Sequence, residues 1–152
     1  KLLGAGKGLF AKAPIRKGTR IVEYKGEILT WKEVERLPDW RNGYVFYFNL
    51  RYVIDAWKTK KSVAHFANDA AGIIRVKGWR NNSEYLTEGK RCYIVATSDI
   101  PKGGEIFVDY GREYWQAIRE NIRRERRMLE QSGLPDGQLI PLPHQVPARK
   151  AA

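Results

Sequence analysis

The sequence predicts an α+β fold built from small, curved β-sheets with little helix. Short β-branched and aromatic runs recur along most of the chain, several of them bounded by turns that contain glycine or proline. A single long helical pattern stands apart from them, towards the C-terminal end. A length of 152 residues with 43% hydrophobic content is enough for one real core plus an appendage.

Taken in order, Thr19–Tyr24 is the first expected strand, bounded by Gly18 and Gly26. Trp31–Leu37 reads as a short helix with Thr30 as its N-cap. Tyr44–Phe48 and Tyr52–Asp55 flank Asn49-Leu50-Arg51 and predict a hairpin. Ser62–Phe66 is a second helical piece, and Arg91–Thr97 a β-branched, aromatic strand. Glu105–Val108 follows the turn Pro101-Lys102-Gly103-Gly104 and is expected to be a further strand. A weak echo links Ile15-Arg16-Lys17-Gly18 with Ile100-Pro101-Lys102-Gly103. Each precedes a strand that ends in an acidic residue and a tyrosine, and chance likeness of two turns explains that as well as a repeat does.

From residue 113 the period changes. Tyr114, Trp115, Ile118, Ile122 and Leu129 form an apolar stripe at near-helical spacing, with Arg119, Arg123, Arg124, Arg126 and Arg127 on the remaining face. A solvated helix lying on the body is the favoured reading, and a nucleic-acid-binding helix the lesser one. The expected organisation is a body at 1–112, a closing helix at 113–131 and a tail at 132–152. That tail holds Pro135, Pro141, Pro143 and Pro147, four of the chain's seven prolines.

Net charge is +11, which favours anionic neighbours such as nucleic acid or ribosomes. The excess is spread along the chain, so a solvated basic surface explains it equally well. No apolar run reaches membrane-spanning length and no charged-then-apolar leader opens the chain. The expectation is a soluble, intracellular protein without a membrane partner. Cys92 is the only cysteine, and with His65 and His144 the only histidines no metal site is indicated.

Three motifs fall in a telling order: Gly4-Ala5-Gly6-Lys7-Gly8-Leu9-Phe10-Ala11, then Glu23-Tyr24-Lys25-Gly26-Glu27, then Gly104-Glu105-Ile106-Phe107-Val108-Asp109-Tyr110-Gly111. Ala64-His65-Phe66-Ala67-Asn68-Asp69-Ala70 and Asn81-Asn82-Ser83-Glu84-Tyr85 lie between the last two. This order resembles the SET-domain protein lysine methyltransferases over roughly residues 3 to 115. The resemblance implies a β-clip-like SET fold with a knot-like threading near the Asn68 and Tyr110 segments. It also implies S-adenosylmethionine as cofactor and a lysine-containing protein as substrate, histone-like or ribosomal among the open choices. The cytoplasm is the expected compartment for a microbial protein, the nucleus for a eukaryotic one.

Carried over motif by motif, Tyr110 corresponds to the family's catalytic tyrosine at the methyl-transfer pore, with Tyr24 and Tyr85 at its lysine channel. Gly6, Lys7 and Gly8 match the family's Gly-x-Gly, which contacts the methionine part of the cofactor. Asn68 and the backbone of Asp69 match the Asn-His pair that contacts its amino-acid end and adenine, and Tyr110 borders the same site. Trp115 offers an adenine platform, with packing of the helix as its more ordinary role. The chemistry suits these residue types. Displacement at a sulfonium requires a neutral, aligned amine, and tyrosine supplies both a flat wall and a fixed hydroxyl. Tyr85 with Val108, not an aromatic, at the two wall positions resembles the family's monomethylating members, which implies monomethyl-lysine as the main product.

The chain also departs from the pattern. Asp69 replaces the family's histidine, and residues 71–80 are inserted before Asn81-Asn82. Two rivals follow: a SET-fold binding module without catalysis, and a basic RNA-binding β-domain using its tyrosines and tryptophans as stacking platforms.

Overall fold

The computed structural model describes residues 6–38, 44–47, 51–59, 62–72 and 75–132. In chain order come β1 (Arg20–Glu23), β2 (Glu27–Thr30), α1 (Trp31–Val34), β3 (Val45–Tyr47), β4 (Tyr52–Asp55), a 3-10 turn at Ala64–Phe66, β5 (Ser83–Glu88), β6 (Arg91–Ala96) and α2 (Arg112–Ser132). They make two three-stranded antiparallel sheets, ordered β1-β6-β5 and β2-β4-β3. The α+β class with small sheets and a C-terminal helix is the one the sequence predicts.

Each sheet is built on its central strand. Along β6 the residues alternate, with Cys92, Ile94 and Ala96 buried and their neighbours not, the period a strand with one core face requires. In β4, Val53, Ile54 and Asp55 are all buried. Ile94, Ile100, Ile106 and Val108 close the core together with Tyr24, Ile54 and Ala64.

The echo noticed in the sequence has a structural meaning. Ile15 and Ile100 pair directly, each N–H donating to the other's carbonyl at 2.8 Å. The same antiparallel register runs outward in both directions. On one side it reaches Ala11 with Gly104, Phe10 with Glu105, and the Ile106 N–H on the Leu9 carbonyl. On the other it reaches Ala96 with Thr19 and Val95 with Arg20. The two tetrapeptides are therefore partners in one ribbon, related by a local twofold. Their turns need Gly18 and Gly103, which sit at φ 84 and 80. From this ribbon the chain runs on through β1 to Tyr24 at one end and through 105–108 to Tyr110 at the other.

Four sequence expectations are revised. Glu105–Val108 is not a ladder strand but a run of single bridges, Glu105 to Phe10, Phe107 to Asn68 and Val108 to Ser83. Its β-type composition serves three partners in turn, lying between the Asn68 and Asn82–Ser83 segments. The first helix stops at Val34, because Pro38 disfavours helical backbone at Leu37 and the chain turns instead. Thr30 does cap it, in a reciprocal box with Glu33. Ser62–Phe66 is helical only as the 3-10 turn from Ala64. α2 also takes in Arg112 and Ser132, the latter placed in the tail by composition. Strands β2 and β5 were not foreseen. Both are edge strands whose mostly exposed residues give no apolar alternation to read. Phe48, Asn49 and Leu50 of the expected hairpin, and residues 133–152, lie outside the described residues. The pairing of β3 with β4 is antiparallel as a hairpin requires.

Candidate active site

The three tyrosines singled out by sequence converge. Tyr24 continues the β1–β6 pairing through its N–H on the Cys92 carbonyl, and only 6% of it is exposed. Its ring lies 5.0 Å from Phe46 of β3 and edge-on to Tyr85 of β5 at 6.2 Å, while Phe46 and Tyr85 stand 4.4 Å apart. Rings from both sheets thus share one apolar cluster, at separations where aromatic pairs attract. Tyr110 joins them from the C-terminal side. Its hydroxyl donates to the Ala67 carbonyl at 2.6 Å, and its N–H donates to Asp69 Oδ2 at 2.9 Å.

Burial pushes all three phenols above their ordinary range. For Tyr85 the next causes are the neighbouring Tyr110 and Tyr24. For Tyr110 they are Tyr114, Tyr24 and Asp69. The hydroxyls are therefore uncharged through neutral pH and far into alkali, able to donate one hydrogen bond and accept another.

A second group forms around Asn68, which is 7% exposed. Its Nδ2 donates to the Lys7 carbonyl and to Glu105 Oε1, both at 3.0 Å. Both amide hydrogens are thereby used, leaving Oδ1, an acceptor, to meet any ligand. The Gly6–Gly8 turn is held in the same contact. A Cβ on Gly8 would lie 2.4 Å from Glu105 Oε1 and 2.9 Å from the Phe10 ring, so only glycine permits this approach. Lys7 places its ammonium 5.4 Å from the centre of the Phe66 ring.

The third group centres on Asp69, 3% exposed. Oδ1 accepts from the Ala71 N–H at 2.7 Å and from Asn81 Nδ2 at 2.9 Å. Oδ2 accepts from the Tyr110 N–H at 2.9 Å and from the Trp115 indole N–H at 2.7 Å. The Trp115 indole stacks on Tyr110, 5.8 Å between centroids and 11° between planes. Gly72 lies directly against it, since a Cβ there would fall 2.5 Å from the ring. Of the two roles read for Trp115 from sequence, this setting favours packing of the helix over an adenine platform.

Sequence reasoning passed over Phe46, Glu105, Asn81 and Asn82 as working residues. Asn82 binds the Glu105 carbonyl and the Phe107 N–H with the two ends of its amide, at 2.8 and 2.9 Å, standing in for a neighbouring strand. Asn81-Asn82 and Glu105 lay inside quoted motifs, but nothing local says which backbone groups they reach. Phe46 was visible only as a strand residue. His65 sits between the rings of Phe66 at 4.0 Å and Tyr44 at 5.6 Å. Its pKa is lowered by burial and by Lys7, the neutral, packed setting of a structural histidine. Among the described residues no group of three or more His, Cys, Asp and Glu side chains is placed to hold a metal ion, and no helix is long and apolar enough to cross a membrane.

The SET domain family model matches residues 6–111, a span that runs from the Gly6-Lys7-Gly8 turn through Tyr110-Gly111. The chain belongs to the SET-domain lysine methyltransferase family. It is 30% identical over 118 residues to the zebrafish protein named N-lysine methyltransferase KMT5A-A, covering 71% of this chain and 33% of that one. It is 31% identical over 120 residues to the variant-silencing SET domain-containing protein of Plasmodium falciparum, covering 72% of this chain and 4% of that protein. With the histone-lysine N-methyltransferase ASHH1 of Arabidopsis thaliana it shares 30% identity over 122 residues, 76% of this chain and 24% of the relative. The chain thus spans a third or less of the length of each of these relatives.

Proposed function

We propose that this chain methylates lysine side chains of a protein substrate, drawing on S-adenosylmethionine. The observation that carries the reading is the meeting of Tyr24, Tyr85 and Tyr110 beside the Asn68–Gly8–Glu105 contact. Family membership supplies the reaction class. The residues fit the cofactor's amino-acid end: Asn68 keeps an acceptor oxygen for an ammonium, beside the Gly8 turn that packs against Glu105. When bound, S-adenosylmethionine supplies a methyl group on a positively charged sulfur. The protein's part is to bind, desolvate and align the amine.

A lysine ammonium with a solution pKa of about 10.4 must lose its proton before it can attack. Burial among Tyr24, Phe46 and Tyr85 disfavours the charged form. The Tyr110 hydroxyl, fixed on the Ala67 carbonyl, keeps its oxygen free to accept a hydrogen bond beside that cluster. Alignment then accounts for most of the rate enhancement, without a dedicated acid–base pair. Tyr85, with Val108 fully buried at the other wall position, supports monomethyl-lysine as the main product. The name of the Arabidopsis relative favours a histone or a similar basic protein as substrate.

The test joins calorimetry to turnover. The chain should bind S-adenosylmethionine, and Asn68→Ala should weaken that binding by about 1–3 kcal/mol. Tyr110→Phe should bind with unchanged affinity yet transfer roughly a hundredfold less labelled methyl, in line with what loss of one aligned group costs elsewhere. Full activity in Tyr110→Phe would remove it from the mechanism.

A further inference from the structure

We infer that Asp69 is a positioning residue, a four-way acceptor that couples docking of α2 to the setting of Tyr110. The inference rests on the methyltransferase reading for what Tyr110 does, and on geometry alone for the coupling. Its four donors come from three separate parts of the chain. Ala71 opens the insertion, Asn81 directly follows it, and Tyr110 and Trp115 belong to the C-terminal run. Every one of them is an N–H, so the side chain between them must accept on both atoms.

A carboxylate does this, with two acceptor positions on each oxygen. An amide of the same size presents N–H to one pair of donors. A neutral imidazole offers one acceptor nitrogen, so the family's histidine cannot serve these four partners. Asn81 cannot rotate to relieve an amide at position 69, because its own Oδ1 accepts the Ala70 N–H at 2.9 Å. The departure at position 69, the inserted residues and Trp115 are therefore one device. Gly72 completes it by letting the indole lie flat against the insertion. Since Trp115 stacks on Tyr110, and Asp69 holds the Tyr110 N–H, helix and pore tyrosine are set by the same oxygen. The side chain of Asp69 is turned to these partners, while Asn68 beside it is held by Lys7 and Glu105.

Asp69→Asn, Asp69→His, Trp115→Phe and the Asn/Phe double variant test this. In Asp69→Asn at saturating substrate, kcat per folded molecule should fall roughly ten- to a hundredfold, the scale of a small misplacement. S-adenosylmethionine affinity should stay within about threefold, well short of the shift expected for a lost charged hydrogen bond. Asp69→His should not do better. In thermal unfolding the double variant should lose less than the sum of the single losses, because both remove one hydrogen bond. The indole N–H proton resonance assigned through Trp115→Phe should move in Asp69→Asn. Additive losses with an unmoved resonance, or an unchanged kcat, would overturn the coupling. A merely structural Asp69 would lower stability and leave kcat per folded molecule intact. If the wild type neither binds S-adenosylmethionine nor transfers methyl, the functional reading falls and the catalytic role of Asp69 with it. The unfolding cycle and the resonance would still decide the clamp.

Discussion

Two regions that both reach Tyr110 are held together by opposite physics. The cluster of Tyr24, Phe46 and Tyr85 is a contact of ring faces and edges, with centroids 4.4 to 6.2 Å apart. The node at Asp69 is four directed hydrogen bonds on one buried carboxylate. Contacts of the first kind depend on volume, so replacements of similar shape are tolerated. Those of the second kind depend on which atom donates, so an isosteric change of one atom leaves buried groups unpaired. On the proposed function, contacts of the first kind line the substrate channel and those of the second place α2 over it, since rings alone do not fix a helix in one register.

The largest effect should come from removing what the node holds. A chain ending after Gly111 loses Trp115 and Tyr114, strips Tyr110 of its stacked partner and leaves an Asp69 oxygen short of a donor. An unpaired buried group costs about 1–3 kcal/mol, and loss of a packed aromatic about 3–5 kcal/mol more. Methyl transfer should fall below detection, and circular dichroism should show lower thermal stability. A truncated protein that folds and still turns over would make α2 a mere appendage and break the contrast between the two regions.

The contrast also marks what the sequence could reveal. The tyrosines and the Gly-x-Gly turn were legible because their identities and order are local text. The strands β4 and β6 were legible because central strands must carry runs of apolar or β-branched residues. β2 and β5 were not, because most of their residues are exposed and carry no apolar alternation, whereas β1 and β3, edge strands too, hold β-branched and aromatic runs. The node was hidden for another reason. The Asp69 side chain was noticed only as a departure, its backbone alone being given a role, and its worth depends on Trp115, 46 positions away, and on Asn81, 12 away. No periodicity encodes such a meeting. The repeat of Ile15–Gly18 at Ile100–Gly103 was the one long-range pairing the text announced, and it looked like chance.

A smaller effect is expected inside the aromatic cluster. Tyr85→Phe keeps the ring against Phe46 and Tyr24 and removes one hydroxyl, so stability should change by less than about 1.5 kcal/mol, as volume-conserving core changes do. What should move is the product. If the hydroxyl holds a water that must leave before a monomethylated amine turns, its removal should admit di- and trimethyl-lysine. A time course on one peptide, read by mass spectrometry, settles it. A wild type that runs straight to trimethyl-lysine, or a variant with the same distribution, removes Tyr85 from product control.

The smallest effect is a pH dependence that separates the two regions by charge. Burial, followed by the Asp69 charge, raises the Tyr114 phenol from 10.0 to about 12. A raised folded-state value means that the unfolded chain gives up its proton first. The stability Tyr114 contributes is therefore complete below pH 10 and lost as pH climbs towards 12. Cys92, raised by burial from 9.0 to about 11, weakens the fold over an overlapping range, but equally in any variant that keeps it. Melting temperatures measured from pH 9 to 12 should thus fall less steeply in Tyr114→Phe than in the wild type. Asp69→Asn should bring the Tyr114 titration down, because it removes a negative charge that holds the proton on. Tyr24 should respond less to that variant, since burial, Cys92 and Asp55 are what raise it. Phenolate absorbance followed in the single variants distinguishes the two. Identical slopes in wild type and Tyr114→Phe, or a Tyr114 titration indifferent to Asp69→Asn, would mean that the node's charge does not reach the helix it anchors.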